Sequence, residues 1–262
     1  MDIAALIGLV ASLPLVIQAA GSAALIHPPA LILVLLGGLA TLLVAHPLRQ
    51  ALNVFALFAK ALLGKGGPPT ALTRRIVELA ALAQRDGILA LETELRRDDD
   101  PFLCGGIRLA VDGTHPDLIM DILETELRFI EERHARNQQQ LRFLGHAWAT
   151  FGLIGTLLLL TQGAAIAQTA LPLLYGTLLY GLLAIPCARK LAVYSQSEAL
   201  AKKIVIEGVM SIQSKDNVRV TSHKLAVFLQ PQDRLSEDPP PPPAAPGFSP
   251  LPADFAFADI TQ

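Results

Sequence analysis

Thr156 is the residue whose type and setting best suit it to handling an ion. It lies in the run GLIGTLLLLTQG at residues 152–163, where Gly152, Thr156 and Gly163 recur at intervals of four and seven, with Gly155 beside them. That spacing puts them on one helix face, where small residues admit a second backbone and a threonine hydroxyl can offer an ion an oxygen ligand. The same pattern also serves plain helix packing, with Thr156 bonded to its own preceding turn. Periodicity alone leaves both readings open.

Residues 147–188 hold no charged side chain at all. Ion movement through a helical bundle usually needs an intramembrane carboxylate or a comparable ionisable group. Any such group would come from a partner chain, with this chain supplying walls and polar lining. Enzyme chemistry finds no foothold. There is no G-x-x-x-x-G-K-[ST] loop, no C-x-x-C pair and no nucleophile elbow,. The six histidines lack metal-ligand spacing, and His134 reads as a solvated helix residue,. Gly105-Gly106 reads as a tight turn rather than a phosphate cradle. Cys104 and Cys187 sit in unlike settings and read as small apolar fillers, not a disulfide,. No catalytic residue, metal site or cofactor is expected, and a net charge of −2 carries no nucleic-acid footprint,.

The elements that must position Thr156 are membrane helices. The chain has 262 residues, of which 52% are hydrophobic, and its mean hydropathy is +0.46. The apolar residues cluster in two blocks. Residues 3–20 are almost unbroken apolar chain, long enough for a bilayer core of about 30 Å. Asp2 precedes them instead of a basic cluster, which argues against a signal peptide,. Residues 30–45 form a second span, and residues 147–188 fold into two more by turning within 163–172,. Arg49 and Arg189-Lys190 flank only the ends facing the polar insert, so the positive-inside rule places that insert and both termini in the cytoplasm,.

Between the second and third spans lies a charged body in which acidic and basic residues nearly balance. Leu72, Ile76, Leu79, Leu82 and Ala83 mark an amphipathic helix after the Gly-Pro break at residues 64–69,. Asp98 to Pro101 and Asp112-Gly113 read as turns. Thr114 reads as an N-cap, with Pro116 and Asp117 in the first turn of a helix whose apolar side carries Leu118, Ile122, Leu123, Phe129 and Ile130,. That helix can run on into the third span. After the fourth span, Leu200, Ile204, Val205, Gly208, Val209 and Ile212 form a stripe suited to packing on the body. The expected organisation is an all-α membrane protein with four transmembrane helices and a large helical cytoplasmic insert between the second and third. Its parts are a first helix pair at 1–47, a charged cytoplasmic domain at 48–145, a second pair at 146–190, a cytoplasmic C-terminal helix region at 191–230 and a Pro-rich, disordered tail at 231–262.

Read in order, the sequence resembles the flagellar stator proteins of the MotA/PomA type over about residues 1–230. The matches are Pro28-Pro29 leading into a Gly37-Gly38 span, GILALE at 87–92, DPFLCGGIRLAVDGT at 100–114 and EERHAR at 131–136. GLIGT at 152–156, Leu174-Tyr175-Gly176, Pro186, Lys190-Leu191 and KKIVIEGVMSIQSKDN at 202–217 follow. The resemblance implies a homo-pentameric ring around a dimeric MotB-type partner that brings the ion-binding aspartate in its single span and a peptidoglycan-binding domain outside. It implies translocated protons or sodium ions, with Thr156, Tyr175, Gly176 and Pro186 along the ion route. It also implies contact with the rotor's switch-complex protein through Arg85, Glu92 and Glu94.

The sequence departs from the family pattern at several places. Gln84 and not Arg85 stands eight residues before Glu92, where a basic residue is usual. Ala149 replaces a proline, Pro172 and Leu173 replace a pair of threonines, and Gly181 replaces an asparagine. Two other readings stand beside the torque-generating stator. One is a stator-like paralogue that assembles but conducts poorly and acts as a regulatory or interaction protein. The other is an energiser of the ExbB/TolQ type, which has three spans and an outside N-terminus.

Overall fold

The computed structural model describes residues 27–64, 69–96 and 99–229 and is helical, with no strand among the described residues. The expected span at residues 3–20 and the Pro-rich tail lie outside the described residues. The helices are α1 (Pro28–Ala45), α2 (Leu48–Leu63), α3 (Pro69–Asp86), α4 (Leu91–Glu94) and α5 (Pro101–Val111). They continue with α6 (Pro116–Thr161), α7 (Ile166–Thr169), α8 (Leu171–Leu178), α9 (Ile185–Gln213) and α10 (Val218–Ala226). A 3₁₀ turn, Ile88–Ala90, precedes α4, and a π-turn, Leu179–Ala184, joins α8 to α9.

α6 is the spine. Its 46 residues form one unbroken helix about 69 Å long at about 1.5 Å per residue. It passes without interruption from the charged body into the third apolar span, as the sequence allows. Its start differs from expectation. His115, not Thr114, is the N-cap, and it makes no side-chain cap bond because Pro116 at N1 already supplies helical φ and needs no donor,. Thr114 instead closes α5, its N–H donating to the Leu109 carbonyl at 3.1 Å while Gly113, at φ 72°, takes the left-handed position of the turn,. Gln213 Nε2 then donates to the Thr114 carbonyl at 2.6 Å, tying the end of α9 to this corner.

Two apolar cores stack along α6. The lower one joins α3, α4, α5, lower α6, lower α9 and α10 through Ile76, Leu79, Leu91, Leu103, Ile107, Ile119, Leu123, Ile204, Val209 and Leu225. The expected stripe on α9 is its contribution, and a Cβ on Gly208 would collide with Ile76. Gly105-Gly106 is not a turn. Asp100 caps α5 by accepting from the Phe102 N–H at 2.9 Å, the helix runs through both glycines, and Gly106 lets α5 sit against Val209 and Leu123. On α6 the buried series is Ile119, Leu123 and Leu127, whereas Leu118, Ile122 and Phe129 are exposed. This helix carries two apolar stripes. Only one of them is used within the chain.

The upper core gathers Val34, Leu42, Val54, Leu57, Leu141, Leu144, Trp148, Ala184, Cys187 and Leu191 around the crossing of α1, α2, α6 and α9. Three described helical stretches are long and apolar enough to cross a membrane: Pro28–Ala45, Pro116–Thr161 and the composite Ile166–Gln213. The last two are joined by a turn at Gln162 to Ala165, with Gly163 at φ 69°. Leu35, Leu36, Val44, Leu153, Leu157 and Leu160 stay exposed around this storey, an apolar surface far larger than a water-soluble protein presents.

Candidate functional site: the small-residue crossing and the charged tip

The membrane storey closes around glycines. A Cβ on Gly176 would lie 2.5 Å from the Trp148 carbonyl oxygen and 3.1 Å from the Gly152 Cα, and one on Gly152 would meet the Pro172 carbonyl oxygen at 2.7 Å. α6 and α8 therefore touch backbone to backbone. Gly155 extends the contact to Pro172 and Leu33, and Gly37 and Gly38 of α1 let Phe151 and Trp148 press into that helix,. Trp148 also stacks on Phe58, ring centroids 6.2 Å apart.

Thr156 sits half-buried one residue beyond Gly155, with its Oγ1 donating to the Gly152 carbonyl at 3.1 Å. Its hydrogen goes to its own helix, while the hydroxyl lone pairs stay available as acceptors. Gly163 leaves this face altogether, because α6 ends at Thr161 and the glycine serves the turn. Tyr175 is a brace at the outer end, its hydroxyl accepting from the His27 N–H at 3.0 Å while the His27 ring caps α1 by accepting from the Ala30 N–H at 3.3 Å. Pro186 lies on α9, ten residues and about 15 Å beyond Gly176 at a rise of about 1.5 Å per residue, with its side chain exposed. Proline lacks an N–H and crowds the carbonyl four residues earlier, and the wider π-turn directly before it absorbs both effects,. Thr156 and Gly176 are thus brought together at one crossing, and Pro186 is not.

Thr156→Val keeps the shape of the side chain and removes only the hydroxyl. It is expected to leave the amount of assembled protein unchanged while reducing motility severalfold. Motility assays alongside membrane immunoblots check this, and a parallel loss of both would leave Thr156 a packing residue.

The second cluster is at the lower end. α3 ends at Asp86, and Gly87 at φ 89° turns the chain so that the 3₁₀ turn and α4 fold back on α3,. Arg85, Glu92 and Glu94 are all exposed there. Arg85 is paired with its neighbour, Nη2 to Asp86 Oδ2 at 2.7 Å, which lowers the Asp86 carboxyl below the usual range. Both groups are open to solvent, so this pair yields readily to another partner.

Buried ion pairs hold the tip from behind. Arg75 donates from Nε and Nη2 to the two Asp99 carboxylate oxygens at 3.0 Å each, and from Nη2 to the Glu94 carbonyl at 2.8 Å. Asp99 also accepts from the Arg96 N–H at 2.8 Å. Lys202 reaches across from α9 to Asp100 at 2.7 Å and lies 5.0 Å over the Phe102 ring,. Sequence reading missed these clamps, whose partners are 24 and 102 residues apart. The run of aspartates before Pro101 was the available signal. His134 is not solvated but packed between α6 and α9, its Nδ1 3.2 Å from Ser195 Oγ, and burial lowers its pKa.

With this geometry in view, the comparisons with known proteins are specific. The sequence model of the MotA/TolQ/ExbB proton channel family matches residues 94–163. Motility protein A of Treponema phagedenis is 33% identical over 253 residues, covering 89% of this chain and 96% of that protein. The chain belongs to the MotA/PomA family of flagellar stator proteins.

Chemotaxis protein PomA of Vibrio alginolyticus is 31% identical over 252 residues, covering 90% of this chain and 99% of its own length. Among solved structures, the flagellar MotAB stator complex from Bacillus subtilis superposes with a TM-score of 0.81 at 27% identity, covering 90% of this chain and 98% of that one. The MotA/PomA fold thus extends over the lower body as well as the membrane storey, and the chain is a membrane-embedded stator protein.

Proposed function

We propose that this chain is the ring-forming subunit of an ion-driven flagellar stator. Five copies surround a dimeric MotB-type partner in the bacterial inner membrane, with the described body and both termini in the cytoplasm. The observation that carries this reading is likeness, over 90% of this chain and 98% of the matched one, to a chain of a flagellar MotAB stator complex. Two features of the chain support it. The membrane storey has no Asp, Glu, Lys or Arg of its own along residues 147–188, as expected if a partner carries the carboxylate. The unused stripe of Leu118, Ile122 and Phe129 on α6 is a surface that a neighbouring copy would cover,.

In this reading protons or sodium ions pass beside Thr156 at the Gly152–Gly176 crossing, and the ring turns. The Arg85, Glu92 and Glu94 tip then pushes the rotor's switch-complex protein by charge complementarity. Glu92→Lys combined with Glu94→Lys should abolish swimming while leaving membrane level and partner capture intact. Co-purification with the MotB-type partner and a soft-agar swimming assay in a motility-null strain check this. Swimming at wild-type speed by the double variant would remove these residues from the output.

A second reading is favoured by Pro172, which fills the contact against Gly152 and Gly155 where the family usually has a threonine. A less polar route suits a ring that assembles but conducts weakly. Intracellular pH and sodium, measured during co-expression with an unplugged partner, separate the two, because a conducting pair lets one of these ions in and a weak one does not.

A further inference from the structure

α2 has three faces where a helix between protein and water needs two. Ala51, Val54, Leu57 and Ala61 are buried against the bundle. Leu48, Leu52, Phe55 and Leu63 form a second stripe, each more than half exposed. Arg49, Asn53 and Lys60 form a third, also exposed, along the edge of the second,. An apolar face beside a cationic face is the pattern of a helix lying in a bilayer's interfacial plane.

Its attachment points fix the depth. Near its start, the Gln50 carbonyl accepts from Gln140 Nε2 at 2.6 Å on α6, and beyond its end the Gly64 carbonyl accepts from the Tyr194 hydroxyl at 2.8 Å on α9. The His134–Ser195 contact places Tyr194 beside residue 134 of α6. α2 therefore travels about 21 Å while descending only about 9 Å along the spine, at about 1.5 Å per residue. It lies across the rods, not along them. Its buried face packs where the uncharged stretches end, around residues 141–148 and 184–191, and its far end descends to the level of residue 134.

Cations line the start of this level, and a carboxylate, Glu198, enters only at its far end, 3.9 Å from His134 Nε2. Arg49, Lys60, Arg142 and Arg189 are exposed there, and the sequence has no Asp or Glu between residues 27 and 77 or between 137 and 197. We infer that α2 lies in the headgroup region of the bilayer, with Leu48, Leu52, Phe55 and Leu63 among the acyl chains and Arg49 and Lys60 holding the phosphates of anionic phospholipids. The matching chemistry is a phosphodiester on an apolar anchor. A soluble phosphate would leave the apolar stripe in water.

Two measurements on the full chain test this. With Trp148→Phe to silence the single tryptophan, Phe55→Trp in liposomes should be quenched by bromine-labelled phosphatidylglycerol. An unquenched tryptophan, or a disulfide between copies through Phe55→Cys, would assign the face to water or to a second copy and overturn the proposal. In detergent, phosphatidylglycerol should raise the melting temperature more than phosphatidylcholine does. Arg49→Gln with Lys60→Gln should weaken the apparent affinity for phosphatidylglycerol about 30-fold, and Arg49→Lys with Lys60→Arg should retain it. Equal effects of the two lipids on the unaltered chain, or a lipid preference kept by the Gln variant, would also overturn it.

Discussion

Gly176→Leu is expected to eliminate the assembled protein from the membrane. The first atom of the new side chain would be 2.5 Å from the Trp148 carbonyl oxygen and 3.1 Å from the Gly152 Cα. Both are backbone positions in α6, so no side-chain rotation relieves the clash. The helices must separate, and separation also disturbs Gly155 against Pro172 and the Trp148 contact with Gly38. Overpacking that side chains can absorb costs about 1–3 kcal/mol, and a backbone clash stands at or above the top of that range. Helix association in a bilayer rests on such close packing, since lipid gives apolar surfaces little reason to leave it. Immunoblots of membrane fractions and thermal stability in detergent measure the effect. Gly181→Leu is the control, because a Cβ at Gly181 meets nothing within 4 Å. Comparable losses at both positions would refute the special role of the crossing.

Arg75→Ala should loosen the lower tip without touching the membrane storey. The Arg75 and Asp99 side chains retain only 13% and 8% of their exposure, so truncation strands a carboxylate among protein atoms at a cost of about 3 kcal/mol. The Glu94 carbonyl loses its partner at the same time. Amide exchange should accelerate around residues 91–103 and stay unchanged around the upper core, and swimming should fall with it. The pH dependence has a definite sign. Hydrogen bonding to Arg75 holds the Asp99 carboxyl below its ordinary range, and the unfolded value is about 3.9. The stabilisation is therefore fully present above about pH 5 and is lost as pH falls through 4 toward the depressed pKa. The unaltered chain and the variant should converge in stability as the medium is acidified over that interval. A constant difference down to pH 2 would show that this ion pair is not its source.

Those two positions also show what was legible beforehand. The Gly152 and Gly155 stripe could be read because helical spacing is local, and the sequence already allowed that it served packing. Its partner, Gly176 in a separate helix, entered only through resemblance, since nothing in α6 says which face of α8 it meets. The continuity of α6 was legible from Pro116 at its start and the absence of a breaker before the apolar span. Its buried face was not. Leu118 and Ile122 match helical period as well as Ile119 and Leu123 do, and only tertiary packing decides between two stripes. The clamp from Arg75 to Asp99 was invisible for a related reason, because loop closure over 24 residues leaves no periodic trace. His134 looked solvated among charged neighbours, yet the pairing of α6 with α9 half-buries it.

α6 has no glycine or proline between Asp117 and Leu144, so nothing in that stretch can act as a hinge. Movement at its upper end must reappear at its lower end as leverage. From Leu144 to Ile119 the lever arm is about 38 Å at about 1.5 Å per residue, and a lean of about 5° would sweep Ile119 sideways by about 3 Å. Because the lower core is built onto Ile119, Leu123 and Leu127, the charged tip would be carried along as one body. A stretch without a hinge would turn an ångström-scale lean at its upper end into a displacement of side-chain dimensions at its lower end.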